Sequence, residues 1–400
     1  MKIGIFDPNL KEFGHYIYFN KHIAKLLDSK DNKLVFLDIA GIFHKNYSQN
    51  LRLEESTFQF VNVSDVPCPS DRENNHIYDD VTHLSQYKMY MSDRSWYKEV
   101  FKKISALNLD ITLITSHGRA PMFTVVPNFK FGIILHTSRI LKVYGKHWLQ
   151  TFLRRISRKF NKKFLDKSSI IFTLELYLVK ELQREGLNNV FYVPYKCFNS
   201  AMDKNFPSDY GLKENEFTLL TIGVIYKGKG LDSVLNIYDK YNLDTPYSIV
   251  GLSSGEYGNL IDKKVQELQT RNLPVKRIPM YLSDEEYRNF ISKADFVLLP
   301  YSVTRYDQTS GVMYDALEQN TPIIAPAIEP FKSYVENYDI GLLYNPEDDL
   351  SFVNTVKKAR HLGKSYFWGN IERFKKQFTY SIWKEKIFDI LTKIEENNGR

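Results

Sequence analysis

The chain reads as an α/β protein made of two doubly wound domains in series. Three observations predict this. Short β-branched and aromatic runs alternate with longer helical patterns from end to end, the signature of parallel sheets flanked by helices. The alternation breaks once, in a polar stretch near Phe198–Glu216 that holds Asn, Pro, Ser and Gly and shows little periodicity. The length of 400 residues allows two or three domains, each with a core of its own.

The strands follow in order. In the first half they read as Lys2–Asp7, Lys33–Ile39, Phe58–Val63, Ile111–Thr115, Phe131–His136, Ser169–Leu174 and Val190–Val193. In the second half they read as Phe217–Ile225, Tyr247–Gly251, Val275–Met280, Asp295–Pro300 and Pro322–Ala325. Helical patterns fill the gaps, among them one from about Ile17 to Leu27, then Leu231–Tyr241, Asp284–Lys293 and Leu350–Leu362. Ser283 with Glu286 three residues on is a capping box for the third of these. The tail Thr379–Ile394 reads as a separate helix, with Ile382, Trp383, Ile387, Phe388, Ile390 and Leu391 at helical spacing. No internal repeat or low-complexity tract stands out.

Composition excludes several classes. With 43% apolar and 25% charged residues the chain is an ordinary globular one. Its two cysteines, Cys68 and Cys197, form no Cys-x-x-Cys or Cys/His pairing, so neither a disulfide framework nor a structural zinc site is supported. The apolar run Ile3–Phe6 is too short for a signal-peptide core, and no stretch reaches the ~18–20 apolar residues of a membrane span. A cytoplasmic protein is the expectation, peripheral at the inner face of the membrane if the basic block described next docks there.

The formal charge is +7, but residues 139–167 hold ten Lys or Arg and a single acid, Asp166. That block nets +9 and leaves −2 for the other 371 residues. Such concentration argues against a nucleic-acid partner and for a local anionic one. Within it Trp148, Phe152, Ile156, Phe160 and Phe164 recur every four residues, with Leu149 and Leu153 beside them, while most of the cations fall on other faces. A helix of this kind can lie on an anionic membrane surface. Equally it can pack its apolar stripe on the sheet and leave a solvated basic face.

The second half carries an ordered constellation. In Thr221–Asp232 a strand ends in a loop with Gly223, Gly228 and Gly230 and with Lys227 and Lys229, just before a helix. Glycines let the backbone approach an anion, and a helix N-terminus with a lysine favours phosphate, although a tight turn with solvated lysines has the same residues. It is neither a Walker A loop nor a Gly-x-Gly-x-x-Gly fingerprint. Next come Ser248–Gly255, a strand into small residues, and Ala294–Tyr301, a buried strand ending at Pro300. Last is Asp307–Ala325. There Thr309 or Ser310 caps a helix beginning at Gly311 and Val312, with Asp307 before its tip and Asp315 about one and a half turns into it.

This order resembles the nucleotide-sugar half of the GT-B retaining glycosyltransferases of family 4, the glycosyl transferases group 1 type. Gly223, Lys229, Gly230 and Asp232 stand in register with that family's Gly-Arg-x-x-x-x-Lys-Gly-x-Asp. Asp295, Pro300, Thr321–Ala325 and Ile340–Pro346 match its later motifs, over about 130 residues in all. Two departures stand out. Val224 replaces the Arg after Gly223, where Lys227 can supply a cation from the other end of the loop, and the family's two glutamates are shortened to Asp307 and Asp315. The resemblance implies a GT-B fold, with two Rossmann-like domains facing a cleft: residues 1–205 for the acceptor, 206–378 for the nucleotide sugar, and a helix at 379–400 crossing back to the first domain. It also implies hexose transfer with retention from a nucleotide-diphosphate sugar to a glycan or lipid-linked glycan in cell-surface polysaccharide synthesis. No metal or cofactor is implied beyond the sugar nucleotide.

The roles implied are specific. Lys229, with Lys227 and the amides around Ser310, Gly311 and Val312, stabilises the leaving diphosphate in a cradle lined by Gly223 and Gly230. Asp307 positions the sugar and Asp315 the ribose. In the first half Gly14 sits in the loop that meets the donor, with His15 beside it. His117 and His136 stand at strand ends, where each can hydrogen-bond sugar or acceptor, His136 being the better placed. The departures also fit a second expectation, a non-catalytic GT-B subunit that binds a glycan or protein partner.

Overall fold

The computed structural model describes the chain apart from residues 11–14, 73–83, 117–119, 138, 143–147, 199–216, 254, 303–308 and 399–400. The chain divides into two compact units, Met1–Cys197 with Tyr380–Arg400, and Phe198–Thr379.

In the first unit the chain runs β1 (Lys2–Phe6), α1 (His15–Leu26), β2 (Lys33–Ile39), α2 (Ile42–Tyr47), β3 (Thr57–Ser64), α3 (Pro69–Arg72), α4 (Leu84–Ser105), β4 (Ile111–Ile114), β5 (Phe131–Leu135), α5 (Trp148–Lys167), β6 (Ile170–Thr173), α6 (Leu176–Arg184) and β7 (Val190–Tyr192). The sheet is parallel in the order β3-β2-β1-β4-β5-β6-β7. Its central strands are buried on both faces, so they read as continuous apolar runs rather than alternating ones. A buried charge, Asp38, stands near the end of β2. Its buried carboxylate accepts from the amides of Phe43 (2.8 Å) and His44 (2.9 Å), two orphan donors of the first turn of α2.

The second unit runs β8 (Leu219–Ile222), α7 (Leu231–Tyr241), β9 (Tyr247–Val250), α8 (Gly255–Thr270), β10 (Val275–Ile278), α9 (Asp284–Lys293), β11 (Phe296–Leu298), α10 (Gly311–Glu318), β12 (Ile323–Pro326), α11 (Phe331–Tyr338), β13 (Gly341–Tyr344), α12 (Asp349–Leu362) and α13 (Trp368–Gln377). Its sheet is also parallel, in the order β10-β9-β8-β11-β12-β13. The capping box expected at Ser283 and Glu286 is formed in both directions. β8 stops three residues before its expected end because Gly223 turns the chain at φ +97°. β13 is a strand where the sequence offered only a motif.

The last helix, α14 (Tyr380–Asn398), belongs to the first unit. Trp383, Ile387 and Leu391, four residues apart, are buried, while Ile382 and Phe388 of the expected stripe are exposed. Trp383 packs edge-on against Tyr192 at 5.3 Å. The buried His22 of α1 ties this corner together: its Nε2 lies 2.9 Å from the Pro194 carbonyl and its Nδ1 3.1 Å from the Tyr380 hydroxyl. A carbonyl can only accept, so Nε2 carries the proton and Nδ1 accepts from Tyr380. Burial holds this imidazole neutral, pushing its pKa down to about 4.

The stripe on α5 divides as well. Phe164 is buried against Phe123 (5.1 Å) and Phe131 (4.9 Å), whereas Phe152, Ile156 and Phe160 are exposed. A four-residue step advances about 40° around a helix of 3.6 residues per turn, so Phe152 and Phe164 end up about 120° apart. The cations are not confined to other faces either, since Lys159 and Lys163 are exposed on the same side as the three apolar residues.

Candidate functional site

Both sheets reverse strand order at their centre, between β1 and β4 in the first unit and between β8 and β11 in the second. Crevices at the carboxyl ends of such strands are where open α/β sheets bind ligands.

In the second unit the crevice is built from glycine. β8 ends at Gly223, whose carbonyl oxygen would meet a Cβ on Gly251 at 2.3 Å, so the two loops lie backbone against backbone. The next turn, Lys227–Lys229, is 3₁₀-helical and leads through Gly230 (φ +63°) into α7. A Cβ on Gly230 would lie 2.2 Å from the Pro300 carbonyl, and Ser302 N donates to Gly228 O at 3.0 Å, which fastens this loop to the end of β11.

Lys229 is the central charge. It is 4% exposed, its Nζ donates to the Ile222 carbonyl at 2.6 Å, and burial pushes its pKa down to about 7. A Cβ on Gly223 would sit 3.4 Å from that Nζ and 3.9 Å from Val312 Cγ2, so lysine, glycine loop and the start of α10 surround one point. Ser310 caps α10, its Oγ accepting from Met313 N at 3.2 Å. The amides of Gly311 and Val312 come before any intrahelical acceptor and stay available to an anion. Lys227 and Val224 are exposed at the other side of the loop. Asp315 sits in the second turn of α10 and accepts from the Tyr287 hydroxyl at 3.1 Å.

Of the two residues that could cap α10 the structure uses Ser310, and beside it stands Tyr301, to which the sequence reading gave no role. Tyr301 is buried, stacks on Phe331 at 5.5 Å between ring centres and brings its hydroxyl 3.3 Å from Ser310 Oγ. Thr309 Oγ1 is buried with no hydrogen-bond partner among the described residues. Tyr287 was legible only as part of a helix. Asp307 lies outside the described residues.

The crevice of the first unit is centred on a carboxylate that the sequence reading placed at the end of the first strand and gave no role. Asp7, fully buried at the end of β1, accepts from Ser116 Oγ (2.5 Å) and Asn9 N (2.9 Å) on one oxygen and from Asn20 Nδ2 (2.6 Å) on the other. Asn20 in turn accepts from Thr115 Oγ1 at 2.5 Å. His136, just past β5, lies with Nε2 3.0 Å from the Thr115 carbonyl, so that nitrogen is committed as a donor, and Phe19 meets its ring edge-on at 4.9 Å. Gly14 and His117 lie outside the described residues. His15 opens α1, and its side chain is not among those described. Among the described residues no three His, Cys, Asp or Glu gather as metal ligands.

Residues 202–366 match the family model for glycosyl transferases group 1. This group 1 segment holds Gly223, Lys229, Ser310 and Asp315 and leaves out the whole first unit. No curated protein matches the chain significantly. Solved structures match along nearly its full length. HepE of Anabaena in complex with UDP is 14% identical, with a TM-score of 0.67 over 98% of this chain and 100% of that one. Sucrose-phosphate synthase of Thermosynechococcus elongatus is 15% identical, with a TM-score of 0.64 over 99% of both chains. The UDP-forming alpha,alpha-trehalose-phosphate synthase of Burkholderia vietnamiensis is 9% identical, with a TM-score of 0.67 over 100% of this chain and 99% of that one. At such identities the likeness is one of fold, and the fold is GT-B.

Proposed function

We propose that the protein is a glycosyltransferase of family 4 that moves a hexose, with retention, from a nucleotide-diphosphate sugar to a glycan or lipid-linked glycan acceptor in cell-surface polysaccharide synthesis. The observation that carries this reading is the buried Lys229 ammonium beside Gly223 and the open amides of α10, inside the segment that matches glycosyl transferases group 1. In the reaction the bond between the anomeric carbon and the phosphate oxygen breaks, and its electron pair leaves with the diphosphate. Lys229, the Gly311 and Val312 amides and the exposed Lys227 are the groups offered to that growing charge. The acceptor hydroxyl then bonds to the anomeric carbon from the same face and passes its proton to the departing phosphate oxygen. Asp315, oriented by Tyr287, is assigned to the ribose and Asp307 to the sugar. In the first unit Gly14 is assigned to the donor, and His15, His117 and His136 to sugar or acceptor. The scheme uses no metal ion and no further cofactor.

Lys229 supplies the test. With its pKa near 7 the free protein holds only about half a proton there at neutral pH, and a diphosphate alongside favours the ammonium. Nucleotide binding near pH 7 is therefore expected to raise the protonation of Lys229. Titration calorimetry in buffers of different ionisation enthalpy reads this directly, starting with UDP because the HepE structure contains it. Uptake that disappears at pH 5.5 supports the assignment. No binding by UDP, GDP or ADP, or binding that Lys229→Met leaves at wild-type affinity, overturns it. The exposed Val224, standing where the resemblance expects Arg, favours a second reading as a non-catalytic subunit. Nucleotide binding without hydrolysis or transfer across a panel of sugar nucleotides selects that reading.

A further inference from the structure

The outer face of α5 presents an apolar and basic strip that the proposed chemistry does not use. Phe152, Ile156 and Phe160 are 53%, 39% and 46% exposed, although a solvated helix gains nothing by presenting three large apolar side chains along one side. Interleaved with them on that side are the exposed cations Arg155, Lys159 and Lys163, none of which makes an ion pair among the described residues. The only acid in the helix is Asp166, near its end.

The inner face is fully engaged. Phe164 and Leu165 are buried in the core, and Asn161 Nδ2 donates to the Ile140 carbonyl at 2.6 Å. At the edge Arg158 pairs with the Glu185 carboxylate, and Lys162 Nζ donates to the Glu185 carbonyl at 2.7 Å. The helix is thus fixed to the unit by one side and holds the other outward, so the exposed residues are not a core waiting for a rearrangement.

We infer that this face docks the protein on an anionic lipid surface, with Phe152, Ile156 and Phe160 entering the headgroup boundary and Arg155, Lys159 and Lys163 reaching the phosphates. Charge complementarity decides the occupant. Cations set among aromatics suit a layer that is anionic at its surface and apolar just beneath, since long basic side chains bury their stems and keep their heads at the polar level. Two copies meeting through this face would set three cations against three cations across a two-fold axis. Protein interfaces are also depleted in lysine at their centres, where Lys159 and Lys163 would fall.

The test is flotation of the full-length protein with vesicles of phosphatidylcholine alone and of phosphatidylcholine with phosphatidylglycerol. Binding is expected only to the anionic vesicles, with release at 1 M salt, where the screening length falls from about 10 Å to about 3 Å. Replacing the three cations (R155Q, K159Q, K163Q) lowers the partition coefficient by about five-fold each, about 100-fold together. Replacing the apolar residues (F152S, I156S, F160S) also abolishes flotation. Because all six side chains are solvent-facing, thermal melting is expected to stay unchanged in both variants, so loss of binding is separable from loss of fold. No binding of the wild type to anionic vesicles, equal binding to phosphatidylcholine alone, or a wild-type dimer that the serine variant dissociates overturns the inference.

Discussion

The two crevices occupy the same place in the same topology and are built from opposite charge. At the end of β1 a carboxylate, Asp7, is surrounded by neutral donors from Asn9, Asn20 and Ser116. At the end of β8 an ammonium, Lys229, has one described acceptor, a backbone carbonyl, and stands next to helix amides that are themselves donors. The first arrangement completes itself, because each charged oxygen already accepts hydrogen bonds. The second is incomplete, since buried donors converge on a point with little to accept them, and an anion answers that deficit. A shared strand order thus places two crevices, and the sign of one buried charge decides which of them is held ready for phosphate.

The largest expected effect tests the closed crevice. Asp7→Ala strands Asn20 Nδ2, Ser116 Oγ and Asn9 N at once, and at about 1–3 kcal/mol for each unsatisfied group the first unit should lose about 4 kcal/mol in denaturant unfolding. Nucleotide affinity should not follow. An Asp7→Ala protein of wild-type stability would remove the basis of the comparison.

Next comes the open crevice, where Lys229→Met should move stability and binding in opposite directions. The folded pKa of about 7 lies below the unfolded value of 10.5, so stability contributed by this residue is present at high pH and lost as pH falls from about 10.5 through 7. Removing it should stabilise the second unit at pH 7 by about 3 kcal/mol while weakening nucleotide binding about 100-fold. Melting curves and calorimetry on the same protein read both signs, and a destabilised variant would show that Lys229 is structural.

His22 gives the corresponding acid test in the first unit. Its folded pKa of about 4 is below the ordinary 6.5, so stability should fall as pH drops from about 6.5 to 4, by about 3 kcal/mol in all. His22→Gln, which retains an N–H for the Pro194 carbonyl, should flatten that slope. The smallest effect belongs to Tyr287→Phe, which removes the hydroxyl held by Asp315 and should cost about 1 kcal/mol, or about five-fold, in nucleotide affinity with the melting temperature little changed.

Much of this was legible before any coordinates. Central parallel strands buried on both faces leave continuous apolar runs and the edge strands β3, β7 and β10 keep β-branched and aromatic residues, so twelve of the thirteen described strands could be read directly. The thirteenth, Gly341–Tyr344, was hidden because its four residues carry no period and looked like part of a motif. Lys229, Gly223 and Ser310 were visible because a phosphate cradle is local, built from a strand end, a glycine turn and a helix cap that are each contiguous in sequence. Asp7 was not, because its meaning comes from Asn20 and from Ser116, the latter more than 100 residues away.

The sequence by itself determined the α/β alternation, the capping residues and the +9 block, all of which follow from local propensity and composition. Only the tertiary structure decided which side of each helix faces water. Periodicity put Phe152 and Phe164 on one stripe, yet Phe164 fills the core and Phe152 faces outward, because a four-residue spacing drifts around the helix and the sheet beneath α5 selects one sector of it. The pKa of Lys229 was decided in the same way. A lysine in a glycine loop is solvated by default, and only the packing of β8, β11 and the start of α10 around it removes the water that would hold its charge.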